Sequence, residues 1–483
     1  MFRIFWEYTS AFFEGFVFIY GVTLLSIYAL LAILSFINIR KFVKKDSYVD
    51  YKVITSSPLA PGISVIAPAY NEGVTIINNV RSLLTLDYPN YEVIIINDGS
   101  TDDTLAQLVE EFSLVKVDFA YNVKIVSEPV RGVYASTNPA YAKLLIVDKV
   151  NGKSKADASN AGINAASFPY FLCTDVDCIL HEQTLSRLVK PIMEEESKRV
   201  IATGATLRLA NSCEIDKSVI TKVRAPRQLL PRFQEMEYIR AFVLGKMGWS
   251  YMNAVPNVSG GLGLFDKEIV VRAGGYDPLA FGEDMELLLR MCRYMEVNKL
   301  PYAIRYIPVT LCWTEGPTTL KVFMRQTTRW GRGLVQLMYI HRMLFMNPRY
   351  KRIGLIVFPY NFFFEMLAPI IEFVGIIYYI LLICFGLVNW PYAIILLIFV
   401  YTYSVMITTL AVLWDQLTFK YYKDWKDIIR ICMMVFVELI LYHPLIVIFA
   451  LRGYLYFVTG RKHTWGNMQR RGFSQKQPAA ATS

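Results

Sequence analysis

Four stretches of the chain are apolar almost without interruption, and between the first two the hydrophobic positions come in short bursts. Residues 12–39 form the first stretch, broken only by Glu14 and long enough for one membrane-crossing helix. The others are residues 353–386, 392–414 and 429–458. From residue 62 to about 306 the pattern changes to β-rich runs separated by amphipathic or polar segments, the alternation of an α/β domain. It predicts strands at 63–67, 91–96, 124–128 and 170–174. The first runs into the polar turn 68–73 and an amphipathic helix to Leu84, and the second ends in the polar residues 97–103.

Composition strengthens the membrane reading. With 54% hydrophobic and 14% aromatic residues, the chain is too apolar for an ordinary soluble enzyme. Its net charge of +10 does not point to nucleic acid, because no basic stripe carries interleaved aromatics; the Lys and Arg residues gather beside the apolar stretches instead. Arg40, Lys41, Lys44 and Lys45 place the following domain in the cytosol, and the first stretch lacks the short core and small-residue end of a cleaved signal. The uncharged turn Asn389-Trp390-Pro391 is expected outside, and Lys420, Lys423 and Lys426 inside. Arg461, Lys462, Arg470 and Arg471 also call for the inside, which a single crossing by the last stretch cannot satisfy. A break at Pro369 or at His443-Pro444 resolves the conflict, the second being preferred. Glu365, Glu372, Glu438 and His443 must face protein or a polar channel, either by pairing with one another or by lining a polar path. The seven cysteines are odd in number and set mostly among apolar residues, so they read as reduced core thiols.

Candidate chemistry gathers at strand ends. Asp175 and Asp177 follow the 170–174 run at i and i+2, so both carboxylates point the same way on extended backbone and can hold a divalent cation against a diphosphate. Taken alone, such a pair is as often a strand end or a helix cap. Carboxylate oxygens suit Mg2+ or Mn2+, whereas zinc recruits His or Cys; His181 is read as an exposed helix residue rather than a further ligand. Asp98 is placed to accept from a nucleotide, while Ser100, Asp102 and Asp103 fit a turn and helix cap. The loop 151–154 and the helix start after it offer Lys153 and Lys155, of which a surface role suits Lys153. Asp284 begins a helix, where a carboxylate stays ionised as a base must; Glu283 is the alternative base and Glu286 reads as helix surface. In 259–263 the three glycines Gly260, Gly261 and Gly263 let backbone approach a ligand closely, unless they form a plain tight turn. Glu315, after Trp313, is a further candidate on the acceptor side. Gln326, Arg329 and Trp330 share one helical face, offering an amide, a guanidinium and an indole together; the same helix also reads as an interfacial membrane helix.

The ordered motifs PAYNE (68–72), NDGSTDD (97–103), KADASNAG (155–162), DVD (175–177), SGGLGLF (259–265), GGYD (274–277), GEDMEL (282–287) and QTTRW (326–330) resemble those of the family 2 membrane glycosyltransferases. The bacterial poly-N-acetylglucosamine synthases are the nearest group, and cellulose and hyaluronan synthases are more distant. The resemblance implies a cytosolic GT-A, Rossmann-like α/β domain flanked by transmembrane helices: an anchor at 1–45, a catalytic domain at 46–345 ending in the interfacial helix, a membrane region at 346–460 and a basic tail at 461–483. It implies an inverting transferase of the plasma (inner) membrane, using a UDP-sugar, UDP-N-acetylglucosamine first, with Mg2+ or Mn2+, and a glycan or lipid-linked acceptor. Membrane lipids and accessory export or regulatory proteins are the expected partners.

Residue by residue, the resemblance makes Asp284 the base. Pro68, Tyr70, Glu72, Asp98, Lys155, Asp175, Gln326 and Arg329 would hold the nucleotide-sugar, Asp175 and Asp177 the metal, and Ser259, Gly260 and Trp330 the acceptor. Asn97 replaces the second Asp of many relatives, and Thr327 replaces the Gln or Arg common in polymer-forming ones. A single-sugar transferase to a lipid, or a non-catalytic nucleotide-sugar sensor or scaffold, are the alternatives.

Overall fold

The computed structural model describes residues 2–461 except Lys217, without the side chains of residues 2–11. Lys462, Arg470 and Arg471 of the expected tail lie outside the described residues. The chain divides into two compact units. One, the α/β unit, is built from Tyr48–Arg227 and Pro256–Gly316; the other, the helical unit, takes Met1–Ser47, Gln228–Val255 and Pro317–Arg461.

The α/β unit is organised on strands β1 Ile63–Ala69, β2 Tyr91–Asn97, β3 Leu114–Val117, β4 Val130–Ser136, β5 Leu144–Lys149, β6 Tyr170–Cys173, β7 Ile179–Leu180, β8 Arg199–Leu209, β9 Glu214–Asp216, β10 Val219–Lys222, β11 Gly263–Asp266 and β12 Tyr302–Thr314. One ten-stranded sheet runs in the order β3-β4-β5-β2-β1-β6-β11-β8-β12-β7, and β9 and β10 form a separate hairpin. β5, β2, β1 and β6 are mutually parallel, with Ile63 paired to Tyr91 on one side and to Tyr170 on the other. Strands flanked on both faces read as continuous apolar runs, and Val65, Ile66, Ile94, Ile95, Ile96, Phe171 and Leu172 are all fully buried.

The strand expected at 124–128 is absent. Backbone amides of Lys124 and Ile125 donate to Asn164 Oδ1, Asn164 Nδ2 donates to the Ile125 carbonyl, and the Glu128 amide donates to Asp157 Oδ1. Side chains of the helix Lys155–Ala165 thus occupy the groups a strand neighbour would have used. The true third, fourth and fifth strands flank this segment.

Among the described residues, the helical unit holds three helices long and apolar enough to cross a membrane, Phe12–Asp46, Ile353–Cys384 and Trp390–Phe419. A further pair, Trp425–Leu441 and His443–Val458, is bent by 51°. The bend falls at His443-Pro444, the preferred break, where the proline ring cannot continue the preceding hydrogen-bond ladder. Side chains such as Ile380, Leu397 and Ile398 are exposed, as lipid-facing positions are. Polar groups in these helices pair inside the bundle: His443 Nε2 lies 2.8 Å from Glu372 Oε2, Arg240 donates to Glu438 at 2.8 Å, and Tyr360 donates to Glu365 at 2.9 Å.

Candidate active site

In parallel sheets, ligands bind beyond the carboxyl ends of the strands. Here β1, β2, β5 and β6 all end on one edge, so four loops converge there by topology alone: 70–75, 98–103, 150–154 and 174–178. Antiparallel β11 begins at that edge, Gly263 opposite Cys173, and brings the Ser259–Leu262 turn to it as well.

The first two loops are stapled together. Asn71, at φ 55°, donates its amide to Ser100 Oγ and accepts the Thr101 amide on Oδ1, while the Glu72 amide donates to Thr104 Oγ1. Asp102 accepts from the Thr104 amide and hydroxyl and from the Gly73 amide. Partial burial would raise its pKa, but these donors outweigh it and hold the carboxyl below its ordinary value. Tyr70 is exposed on this staple, and Pro68 and Glu72 are half-buried.

Behind the second loop lies a charged network that the sequence motifs did not reveal. Lys149, at the end of β5, is fully buried, with Nζ 2.6 Å from Asp98 Oδ1 and 2.5 Å from Asp157 Oδ2. Asp98 also accepts the Gly152 amide at 3.0 Å. One oxygen of Asp98 is therefore fixed from behind by two donors. Asn97 turns to the other side, donating to Asp148 Oδ1 at 2.6 Å, where Arg131 also binds at 2.7 Å. The only signal in the sequence was a lysine closing an apolar run just ahead of the 151–162 motif, and nothing in its spacing marks it as buried.

Lys155 joins three motifs. Its Nζ lies 2.5 Å from Asp175 Oδ1 and donates to the Gly260 carbonyl at 2.6 Å. Burial alone would lower the lysine pKa, but Asp175, Cys173 and Glu283 around it carry it above the ordinary range. Gly260 in turn donates its amide to Asp284 Oδ2 at 3.0 Å. The 155–162, 175–177, 259–265 and 282–287 motifs thus close one hydrogen-bonded chain, Asp175–Lys155–Gly260–Asp284. Gly261 is needed for close approach, since a Cβ there would stand 3.1 Å from Leu207 Cδ2 and 3.7 Å from Asp175 Oδ2.

Asp175, Asp177 and Cys178 carry ligand atoms all within 4.8 Å of one another, and Cys178, not His181, is the third member of the group. The two carboxylates fit a hard divalent cation, whereas the soft Cys178 thiol beside them does not add a ligand for one. Contact with the Cys312 thiol, then burial, pushes the Cys178 thiol up. His181 is neither exposed nor helical: it follows β7 in a half-buried turn, and its Nδ1 accepts the Gln183 amide.

Asp284 lies in the first turn of the helix Glu283–Val297, half-buried, and accepts its own neighbour's amide, Met285, at 2.8 Å. Glu286 is not helix surface. It is buried in a two-pronged pair with Arg290, which also donates to the Ala273 and Gly275 carbonyls and so ties this helix to the 274–277 turn. Glu315 follows β12, whose next residue, Gly316, exchanges two hydrogen bonds with Asn211.

Gln326, Arg329 and Trp330 belong to the helical unit, on the helix Leu320–Ile340. They share its less buried face, whereas Thr327, Thr328 and Gly331 are buried. The buried side meets the helix His443–Val458 at backbone contact: a Cβ on Gly453 would stand 2.3 Å from the Thr328 carbonyl oxygen, and one on Gly331 2.7 Å from that of Ala450.

A mixed sheet with acidic loops and a carboxylate-bearing helix start at the carboxyl edge of its parallel strands is the architecture of a GT-A-type α/β transferase. Residues 64–206 match the model of Glycosyl transferase family 2, and residues 228–414 that of Glycosyl transferase family group 2. Together these two matches cover most of the chain, which belongs to the family 2 glycosyltransferases. It is similar to the poly-beta-1,6-N-acetyl-D-glucosamine synthase of Staphylococcus epidermidis, 26% identical over 309 residues, with 64% of this chain and 62% of that protein covered. The chain therefore spans less than two thirds of that relative's length. A probable glycosyltransferase, YdaM, of Bacillus subtilis is 29% identical over 361 residues, covering 72% of this chain and 74% of the relative. Among solved structures, the mannosyltransferase PcManGT of Pyrobaculum calidifontis, in complex with GDP-mannose and Mn2+, aligns over 91% of this chain and all of that one at 15% identity and a TM-score of 0.48.

Proposed function

We propose that the chain is an inverting glycosyltransferase of the plasma membrane that moves N-acetylglucosamine from UDP-N-acetylglucosamine onto a growing β-linked glycan and is coupled to its export. The observation that carries this is the hydrogen-bonded chain from Asp175 through Lys155 and Gly260 to Asp284, which links a cation-binding pair to a candidate base. The donor and product are supported by the names of the relatives, and the membrane setting by the apolar helices. In this reading residues 46–345 are the cytosolic catalytic domain, set between an anchor at 1–45 and a membrane region at 346–460.

Asp175 and Asp177 would hold Mg2+ or Mn2+, which when bound supplies charge neutralisation for the leaving diphosphate. Lys155 adds a fixed positive charge at the same edge. Asp98, braced by Lys149, accepts from the uridine, and the turn Pro68, Tyr70, Glu72 borders it. Asp284 accepts the proton of the acceptor hydroxyl as that oxygen bonds to the anomeric carbon. The bond from the anomeric carbon to the diphosphate oxygen breaks, and the nucleoside diphosphate leaves with its electron pair. Ser259 and Gly260 border the acceptor sugar in the α/β unit; in the helical unit, Gln326 and Arg329 offer an amide and a guanidinium to a phosphate, and Trp330 offers an indole to a sugar face.

The test is purified full-length protein with UDP-N-acetylglucosamine and Mn2+, products sized, beside three variants. Asp284→Asn is expected to bind donor normally and lose about 100- to 10,000-fold in transfer. Asp175→Asn and Asp177→Asn are expected to weaken metal-dependent donor binding. Equal loss of donor binding in all three would overturn this division of labour. Products of one added sugar, or glycolipid alone, would replace processive synthesis by single transfer, and full cellular function of Asp284→Asn would make the chain a sensor.

A further inference from the structure

The helix Leu229–Ile239 is embedded in the helical unit, and one residue on it makes a contact that packing does not explain. Gln234 is fully buried. Its Nε2 donates to Gln326 Oε1 at 2.9 Å, and its own Oε1 is buried with no partner among the described residues. A buried carbonyl without a donor destabilises a fold, and an apolar side chain of similar volume would fill the same space without that penalty. Among the described residues, the one side-chain hydrogen bond that Gln234 makes goes to the 326–330 motif.

We infer that Gln234 is a positioning residue for the transfer site, fixing which end of the Gln326 carboxamide is presented to substrate. The inference rests on the reading of Gln326 as a site residue. A carboxamide has a donor end and an acceptor end. With Oε1 of Gln326 occupied by Gln234, the Nε2 end carries two N–H groups away from the pair. Gln326 then reads an oxygen that accepts, such as a phosphate oxygen of the donor or a sugar oxygen, and discriminates against a donor group at that point.

The neighbours hold the pair in register. Phe233 stacks on Tyr442 at 5.1 Å between ring centroids, and Tyr442 stacks on Phe323 at 5.1 Å, one turn ahead of Gln326 on its own helix. The Tyr442 hydroxyl donates to Glu237 Oε2 at 2.6 Å, a second tie to the Gln234 helix. Two helices are thus clamped on either side of the amide pair, so its orientation is set before substrate arrives.

The experiment uses full-length protein with UDP-N-acetylglucosamine and Mn2+, measuring kcat, donor KM and the melting temperature. Gln234→Met keeps length and volume and removes the hydrogen bond. It is expected to lower kcat about three- to tenfold, the worth of one oriented hydrogen bond, with a melting temperature equal to or above wild type. Gln234→Glu, assayed at a pH where its carboxylate is ionised, can only accept, so it pairs with Gln326 Nε2 and turns Oε1 outward, and kcat is expected to fall below that of Gln234→Met. Wild-type kcat in Gln234→Met while Gln326→Ala is impaired overturns the inference. A kcat loss in Gln234→Met that tracks a lowered melting temperature also overturns it, because that is a structural role. Wild-type kcat in Gln326→Ala sinks the site reading and the inference together.

Discussion

Replacing Lys149 by Met tests whether the network behind Asp98 is built as described. The ammonium is fully buried between Asp98 and Asp157 and also donates to the Val150 carbonyl at 2.6 Å. Methionine matches its length, so little volume is lost and the electrostatic consequence is isolated. Removing one partner of a buried pair leaves uncompensated charge, at a cost of about 3–5 kcal/mol. Two amides soften the loss, Gly152 on Asp98 and Glu128 on Asp157, which points to the lower figure. At about 2–4 °C per kcal/mol for a domain of this size, 3 kcal/mol lowers the melting temperature by about 6–12 °C. Thermal unfolding followed by fluorescence in detergent measures it, with exposed Lys153→Met as control, expected within about 0.5 kcal/mol of wild type. Asp98→Asn placed on Lys149→Met should recover part of the loss. A Lys149→Met protein that melts with the wild type would refute the buried network and the bracing of Asp98 with it.

Other expectations are cheaper to check. Gly453→Ala forces a methyl against the Thr328 carbonyl and should destabilise by about 1–3 kcal/mol, read as a lowered melting temperature. Despite partial burial, the donors on Asp102 hold its folded pKa below the ordinary carboxylate value, so its contribution is complete above that ordinary value and is lost as pH falls through the folded pKa. The stability advantage of wild type over Asp102→Asn should therefore be constant near neutrality and shrink below about pH 4 in acid titrations. Burial pushes the Cys292 thiol up to about 12 and raises Cys173 as well, so maleimide at pH 7 should leave both unlabelled until denaturant is added, as mass spectrometry would show.

The α/β pattern was legible because its strands are buried on both faces, which writes them as continuous apolar runs. The strands at 63–69, 91–97 and 170–173 stood out for that reason. The segment 124–128 misled because only Ile125 of its apolar residues is buried while Val126 is exposed, and its backbone amides are satisfied by Asn164 and Asp157, so the apolar run carries no record of the hydrogen-bond partner. Charge burial was the other blind spot. Glu286 and Lys149 look like surface residues in sequence because such side chains are mostly exposed, and only tertiary partners, Arg290 for one and two aspartates for the other, make their burial tolerable. The break at His443-Pro444 was readable because proline acts through local covalent geometry.

The helix Leu229–Ile239 is flanked in the chain by segments of the α/β unit, and this has a consequence for biogenesis. Glu235 accepts from Tyr422, Glu237 from Tyr442 and Arg240 pairs with Glu438, partners that lie 187, 205 and 198 residues further along. At about 5–20 residues per second, a ribosome needs on the order of 10–40 s to deliver them. For that interval three ionisable side chains of this segment lack these distant partners. The α/β unit is likewise incomplete until β12 arrives. The helical unit is therefore obliged to finish last, when the bent helix pair supplies Glu438 and Tyr442 together.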